Sequence, residues 1–589
     1  METPKPKLKG APIDSIIFYP SLVLVALVAI VMSFFPDVAA KGVDGAYAFV
    51  LKNLSSMFML FGLACFIILG WLSISRYGDV KLGGPDEEPE FSTFSWISML
   101  FCAGVGIGLM IWSLVEPIYY IQGPPMGIEP MSDQAFVWAH MLPQFHWGFS
   151  AWAIYCLPTI PIAYSVYVRR QKVFRVSDTS RMLIGRHADG GVGKLIEVFV
   201  LLGTVGAVGT SLGLAIPLIS KLFSGFLNIE DTMFLKGVVT AVLYGIFGFS
   251  VFMGLEKGMQ NLTRINVWLA FVILGLVLFL GPTGFIMDLW TNSLGLLLNN
   301  FPNLTFETEP LRLLTEGAGS AWPQWWTVFY WAWWVAYAPV VALFVARISR
   351  GRTIRQLVIA ECVWGTLGCW AFLAILGGYS LYAQKTGLVD TVAIQNAQGD
   401  PAVCMAVMYS LPLRWLIIPI YTALCFVFLG TTLDASAQAL ANLCSKKGYS
   451  DLPPLRWHRM LWASLLALFG MGILITGGEK ALKTIQTSTI VGGVILVPII
   501  FIMVAGLLKC LKQDFKEVMV DTKIVRPALL AENAAGLAMG SPGGSRETIS
   551  GSEAKNIELK AGAELKAGAG DLSKNAGTAG VSGEDELRV

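Results

Sequence analysis

The densest chemical feature of the sequence is the run Trp322-Pro-Gln-Trp-Trp-Thr-Val-Phe-Tyr-Trp-Ala-Trp-Trp-Val-Ala-Tyr337. Tryptophans gather at membrane interfaces, which accounts for Trp322, Trp325 and Trp326. Trp333 and Trp334 stand about two helical turns deeper, where an interface belt does not reach. A second apolar stretch supplies His146-Trp147, Trp152 and Tyr155. Trp152 and Tyr155 are three apart and share a helix face, with Trp147 somewhat off it. Aromatic faces converging on a dry cavity make a cage for a cation that has no hydrogen to donate. Quaternary ammonium is the usual guest of such cages, each desolvated contact contributing about 2 kcal/mol.

Two further stretches are unusual for apolar helices. Phe101-Cys-Ala-Gly-Val-Gly-Ile-Gly108 places three glycines at alternate positions. Each weakens a helix by up to about 1 kcal/mol relative to alanine. In a bilayer, backbone freed this way is tolerated only inside protein or along a cavity, and helices broken at mid-membrane bind ions and carboxylates in transporters. The other reading is close helix packing through small residues. Phe428-Leu-Gly-Thr-Thr-Leu-Asp434 sets two hydroxyls and a carboxylate in an apolar helix. The threonines either bond back to a carbonyl one turn earlier or offer oxygen ligands to a hard cation such as Na⁺. Asp434 reads as a structural carboxylate bonded to backbone, with proton carriage as the alternative. Glu116, before Pro117, reads as a helix-ending residue or a gate.

The elements that position these residues follow from composition. Of 589 residues 55% are hydrophobic and only 14% charged, well below the quarter or so usual in soluble domains. Long charge-free runs recur from end to end. A spanning helix needs about 20 apolar residues, and twelve candidates are present: Ile16–Phe34, Ser55–Ile74, Phe94–Tyr120, Ala135–Tyr167, Leu195–Leu222, Phe234–Leu255, Ile265–Leu289, Trp326–Ala346, Ile354–Gly378, Leu416–Leu440, Met460–Thr476 and Thr489–Leu508. The first follows a basic start without a small-residue cleavage pattern and reads as a helix, not a signal peptide. Every second connection is basic, notably Arg169–Arg175 continuing to Arg186, Arg347–Arg355, and Lys446–Arg459, whereas Gln122–Gln134 has no Lys or Arg. That alternation puts both termini in the cytoplasm.

Other function classes are poorly served. The net charge of +2 argues against a nucleic-acid partner. Nine scattered cysteines and four histidines show no metal-ligand spacing. No phosphate loop and no nucleophile–base pair appears, which argues against an ATP-driven pump and an enzyme. A channel or sensor on the same scaffold stays open as a rival to a transporter. From Ala531 the chain turns Gly-, Ala-, Ser-, Lys- and Glu-rich, with nine acidic against six basic residues, the mark of a disordered tail.

Taken together these stretches resemble the betaine/carnitine/choline transporter family. The resemblance is carried by Pro89–Phe101, the glycine run, Glu116-Pro117, Phe145-His-Trp-Gly148 with Trp152-Ala-Ile-Tyr155, Trp326–Trp334 and Arg347–Arg355, and covers roughly residues 15–510. It implies an all-α polytopic fold of twelve spans, with two inverted five-helix repeats of the sodium-symporter type preceded by two extra helices. On that plan residues 1–15 are a cytoplasmic start and 16–92 the two peripheral helices. The repeats are 93–290 and 326–510, joined by an extracellular connection with an interfacial helix at 291–325, and 511–589 is a cytoplasmic tail. It also implies a homotrimer in the cell inner membrane that moves an onium zwitterion by alternating access.

Carried over by position, the aromatic box is Trp147, Trp152, Tyr155, Trp333 and Trp334, with Tyr119 and Tyr337 as walls. The unwound run Ala103, Gly104, Val105, Gly106 and Gly108 presents N–H groups to the substrate carboxylate. A sodium site falls on Cys102 and Val105 backbone with Phe428, Thr431 and Thr432, which favours Na⁺ coupling. There are departures. A second sodium site would need Thr204 with partners at positions where Val208 and Val340 stand. Asn266 replaces an arginine of the Na⁺-independent carnitine/γ-butyrobetaine exchanger, whose pattern the run Trp333–Tyr337 otherwise approaches. Gly108 stands where H⁺-coupled choline carriers tend to have aspartate, so a zwitterion such as glycine betaine, carnitine or dimethylsulfoniopropionate is favoured over choline.

Overall fold

The computed structural model describes residues 10–171, 175–253, 260–317, 319–446, 452–472 and 478–515. The long helices in chain order are α1 Ser15–Phe34, α2 Pro36–Ile74, α3 Thr93–Val105, α4 Gly108–Gln122, α5 Asp133–His146, α6 Phe149–Ala163, α7 Gly191–Leu227, α8 Met233–Met253, α9 Gln260–Leu280, α10 Thr283–Phe306, α11 Thr327–Ile348, α12 Ile354–Lys385, α13 Arg414–Leu443, α14 Arg456–Gly472 and α15 Gly478–Asp514. Among the described residues there is no strand, only three isolated bridges.

Among the described residues ten helical segments are long and apolar enough to cross a membrane, and an eleventh forms if α3 and α4, bent by 56° at their junction, count as one. The chain is a multi-pass membrane protein. The span expected at Met460–Thr476 coincides with α14, which has 17 residues and ends where the description stops. The expected N-terminal segment before Gly10 and the tail from residue 516 lie outside the described residues.

Several spans depart from the apolar runs that mark them. The third is broken, because Gly106 adopts φ +49° and ψ −150°, a conformation that only glycine takes without strain. The break is narrower than the glycine pattern implies: Ala103, Gly104 and Val105 stay in α3, and Gly108 already opens α4. The fourth divides into α5 and α6 at Trp147-Gly148, just after Pro143. The seventh ends at Leu280 rather than Leu289, and Pro282 caps a separate helix, α10. Glu116 does not end its helix, since α4 runs through Pro117 to Gln122.

Burial sorts these helices into a centre and a rim. In an apolar 18-residue stretch of each, Trp322–Ile348 has 94% of its residues buried and Asp133–Val168 83%, whereas α1 (28%), α9 (33%) and the Met233–Ser250 part of α8 (22%) are mostly uncovered. The rim exposes Phe234, Phe249, Trp268 and Phe279, as lipid-facing surface should. α11 lies along α6, and α7, α13 and α15 pack around them.

The basic loop between α11 and α12 is held as well as charged. Leu82 N–H donates to Arg352 O at 2.7 Å and Ile354 N–H to Val80 O at 3.0 Å. Arg355 pairs with Asp79 at 2.6 Å, Arg347 with Glu90 at 3.3 Å, and Arg350 with Glu87. Arg352 lies 4.5 Å above the Trp96 ring and donates to Phe91 O at 2.7 Å. Thr353 and Gln356 form a reciprocal capping box that starts α12.

Candidate onium site

Two helix irregularities bring the aromatic residues together. The kink between α5 and α6 turns Trp147 inward beside α6, which carries Trp152 and Tyr155. α11 presents Tyr330, Trp333 and Trp334 on one face, at the i, i+3, i+4 spacing of a helix. Trp147 and Trp334 meet edge to face at 4.7 Å between ring centroids, and Tyr155 stands 5.8 Å from Trp334 in the same manner. Trp333 and Trp334 stack at 5.2 Å with 9° between planes. Trp152 stands 5.9 Å from Tyr155, and Tyr337 6.3 Å from Tyr155. All six of these side chains are buried. Such rings present an electron-rich face that binds a methylated cation.

Tyr119 sits apart. It is half-buried, its ring contacts Trp112 at 6.3 Å and Trp326 at 5.7 Å, and its hydroxyl donates to Asp400 at 3.0 Å. It is linked to the box through Trp112, which stands 6.4 Å from Trp333, and through Trp326. Trp326, which caps the start of α11, also joins this cluster, 4.6 Å from Tyr120 and 6.4 Å from Tyr330.

Behind the box lies Glu116, wholly buried. Its Oε2 accepts from Trp147 Nε1 at 2.9 Å and from the Tyr330 hydroxyl at 2.7 Å. Its Oε1 accepts from Tyr120 at 2.6 Å and faces His146 Nδ1 at 3.3 Å. His146 Nε2 in turn meets Thr327 Oγ1 at 3.2 Å, and Trp334 Nε1 donates to His146 O at 3.0 Å. A single carboxylate therefore fixes aromatic walls from α5 and α11. Sequence reasoning left Glu116, Tyr330 and Trp112 out of the site. The signals were present: a carboxylate in an apolar span, and a tyrosine three and four residues before the paired indoles.

The broken helix touches both parts of the site. A Cβ on Gly104 would overlap Cη2 of Trp152 at 2.6 Å, and one on Gly108 would lie 3.3 Å from Trp147. A Cβ on Gly106 would collide with Thr432 Oγ1. The small-residue reading and the broken-helix reading thus both hold, at different glycines. Ala103 is buried in α3, and Val105 is half-buried at its end.

The Thr431 and Thr432 hydroxyls both donate to Phe428 O, at 2.8 and 3.0 Å. The back-bonding alternative is realised, and it gathers three oxygens beside the Gly106 break. The Phe428 ring lies 6.5 Å from Phe101, which stacks on Trp152 at 6.2 Å, so this oxygen cluster abuts the box. The Cys102 thiol faces away, accepting from Asn266 Nδ2 at 3.3 Å. Thr204 bonds back to Val200 O at 2.7 Å, and Val208 and Val340 are buried and apolar. Asp434 is held by Arg459 and, at 2.6 Å, by the Ser250 hydroxyl, so its partners are an ion pair and a side chain rather than backbone.

The chain matches the model of the "BCCT, betaine/carnitine/choline family transporter" over residues 16–516. It is 33% identical over 448 residues to the uncharacterized transporter YeaV of Escherichia coli (strain K12), covering 76% of this chain and 91% of that one. It is 33% identical over 466 residues to a carnitine transporter of Acinetobacter baumannii, covering 78% and 82%. Among solved structures, a Na⁺-coupled sialic acid symporter aligns over 77% of this chain and 86% of its own, with 12% identity and a TM-score of 0.43. A match spanning most of the sequence, with relatives at this identity over most of their length, places the chain in the betaine/carnitine/choline family of transporters.

Proposed function

We propose that this protein carries a small zwitterion with a quaternary-ammonium or sulfonium head across the inner membrane by alternating access, with carnitine the first substrate to test. The observation that carries the reading is the buried box of Trp147, Trp152, Tyr155, Trp333 and Trp334, whose rings stand 4.7–5.9 Å apart in contacting pairs. A methylated cation loses its hydration there and gains cation–π attraction. The backbone at Gly106 supplies N–H groups for the carboxylate end. The relative described as a carnitine transporter supports this choice.

The oxygen cluster of Phe428, Thr431 and Thr432 supports Na⁺ as the co-transported ion, since hard cations take oxygen ligands. To accept it, the hydroxyls turn their lone pairs from the helix toward the Gly106 break. The same reading takes the protein as twelve spans in two inverted repeats behind two peripheral helices, with cytoplasmic termini, assembled as a homotrimer.

The test is uptake into proteoliposomes of labelled glycine betaine, carnitine, dimethylsulfoniopropionate and choline, with and without a Na⁺ gradient. Saturable uptake of a zwitterion driven by Na⁺ supports the proposal. Uptake that needs internal substrate and ignores Na⁺ identifies an exchanger instead. No onium uptake under either condition rejects the cage.

A further inference from the structure

Helix α12 widens twice into π geometry, at Ile359–Trp364 and Leu373–Gly377. Turns of this kind are rare and concentrate at functional sites. The first carries Glu361, which is 0% exposed and whose two carboxylate oxygens accept no well-formed hydrogen bond among the described residues, only weak approaches from the Cys156 thiol and the Thr159 hydroxyl. Other buried carboxylates are held: Glu116 by the network described above, Asp434 by Arg459 and Ser250, and Glu197 at one of its two oxygens by the Ser177 N–H at 2.8 Å.

Among the described residues, those packed around Glu361 offer no counter-charge. Helix α6 presents Cys156 and Thr159, and the Thr159 hydroxyl is already donated to Tyr155 O at 2.8 Å. The π turn itself presents Cys362, which faces Cys65 of α2. From α3, Phe101 packs against Gly368 one turn further on. Arg355, at the start of α12, is engaged by Asp79 and Ser73 O. An isolated carboxylate ion is strongly disfavoured in so dry a place relative to the neutral acid. An ionisable residue within a span marks a functional site by default.

Glu361 also adjoins the onium box. A Cβ on Gly365, one turn along, would overlap the fused ring of Trp152. Cys156, which faces Glu361, follows Tyr155 directly on α6. Hydration of the carboxyl therefore requires α6 and α12 to separate, and that movement shifts Trp152.

We propose that Glu361 is a proton-binding site of the carrier. Its carboxylate takes a proton from water on one side of the membrane, holds it as the buried acid in the conformation seen here, and returns it to water when α6 and α12 part. No electrons move and no bond other than O–H is made or broken. The link to substrate movement rests on the transport reading above; the protonation itself does not.

Dicyclohexylcarbodiimide, which modifies protonated carboxyls from the apolar phase, provides the test. The full chain in proteoliposomes is labelled at mildly acidic and at alkaline pH and the adducts are located by mass spectrometry. Modification of Glu361 that falls as pH rises is the expected result. Glu361 left unmodified at both values, while other carboxyls react, overturns the proposal. For coupling, uptake of labelled carnitine by Glu361→Gln should lose the pH dependence of the wild type, and identical profiles in the two proteins would overturn the link. Labelling needs neither substrate nor variant. It stays decisive if Glu361→Gln does not fold, or if carnitine is not carried, which would count against the onium reading instead.

Discussion

Trp147 donates its indole N–H to Glu116 at 2.9 Å, and the opposite face of that relationship is the Tyr330 hydroxyl, 2.7 Å from the same carboxylate oxygen. One acid thereby sets the angle between a wall from α5 and a wall from α11. Hydrogen bonds to a charged acceptor contribute about 1.5–3 kcal/mol each. Glu116→Gln keeps the volume, removes the charge and turns an amide donor toward groups that are themselves donors. Onium affinity measured by titration calorimetry should fall by roughly 10-fold or more. An affinity equal to the wild type would detach Glu116 from the box.

Trp334 joins the two sides of the box, touching Trp147, Tyr155, Tyr330 and Trp333. Replacing it with leucine keeps an apolar filling but removes the quadrupole. Loss of one desolvated cation–π contact, about 2 kcal/mol, weakens binding by roughly 30-fold. An isosteric neutral ligand, with carbon in place of the onium nitrogen, should lose much less. Equal losses for both ligands would mean that Trp334 acts through shape alone.

How much of this was legible in the sequence follows from the kind of signal each residue leaves. Hydropathy marks spans because the bilayer demands apolar length, so α7, α11 and α13 were plain. It does not mark breaks: the division at Trp147-Gly148 and the end of α9 at Leu280 are decided by backbone geometry inside apolar runs. Trp333 and Trp334 were legible because their depth was wrong for an interface belt. The helix-ending alternative for Glu116 failed: Pro117 follows it, yet a proline in mid-helix bends the chain without ending it where neighbouring helices hold the backbone. Glu361 left only the signal that Glu116 also left, a carboxylate in an apolar span. Its significance lies in what surrounds it, which only the fold assembles.

Gly106 combines φ +49° with a side chain, Thr432, pressed against the place a Cβ would occupy. Alanine there pays about 1–3 kcal/mol for a backbone conformation essentially confined to glycine, and the contact with Thr432 adds to it. Gly106→Ala should lower the thermal midpoint and also disturb both the carboxylate and the ion positions. Gly284→Ala, at a site with open space around its Cβ and an ordinary φ, is the control and should leave the midpoint unchanged. Equal midpoints for wild type and Gly106→Ala would show that the break can close without cost.

Arg459 and Asp434 pair inside the membrane region with 4% and 0% of their side chains exposed. Removing one member of such a pair leaves the other uncompensated, at a cost of about 3–5 kcal/mol. Arg459→Met should therefore unfold at markedly lower temperature, and Arg459→Met with Asp434→Leu should recover much of the loss. A double variant as unstable as the single one would mean that the charge is wanted for something besides its partner.

Thr431 and Thr432 give the sharpest separation between structure and transport. Both hydroxyls donate to Phe428 O, and bonds of this kind contribute little to a helix or slightly weaken it. Thr431→Ala and Thr432→Ala should therefore fold as the wild type does. If the two oxygens ligate Na⁺, each variant should raise the Na⁺ concentration for half-maximal uptake several-fold and the pair together should raise it further. Substrate affinity at saturating Na⁺ should change little, because the hydroxyls abut the box through Phe101 and Phe428 without entering it. A Na⁺ dependence unchanged in the double variant would assign the hydroxyls to helix packing and move the coupling ion elsewhere.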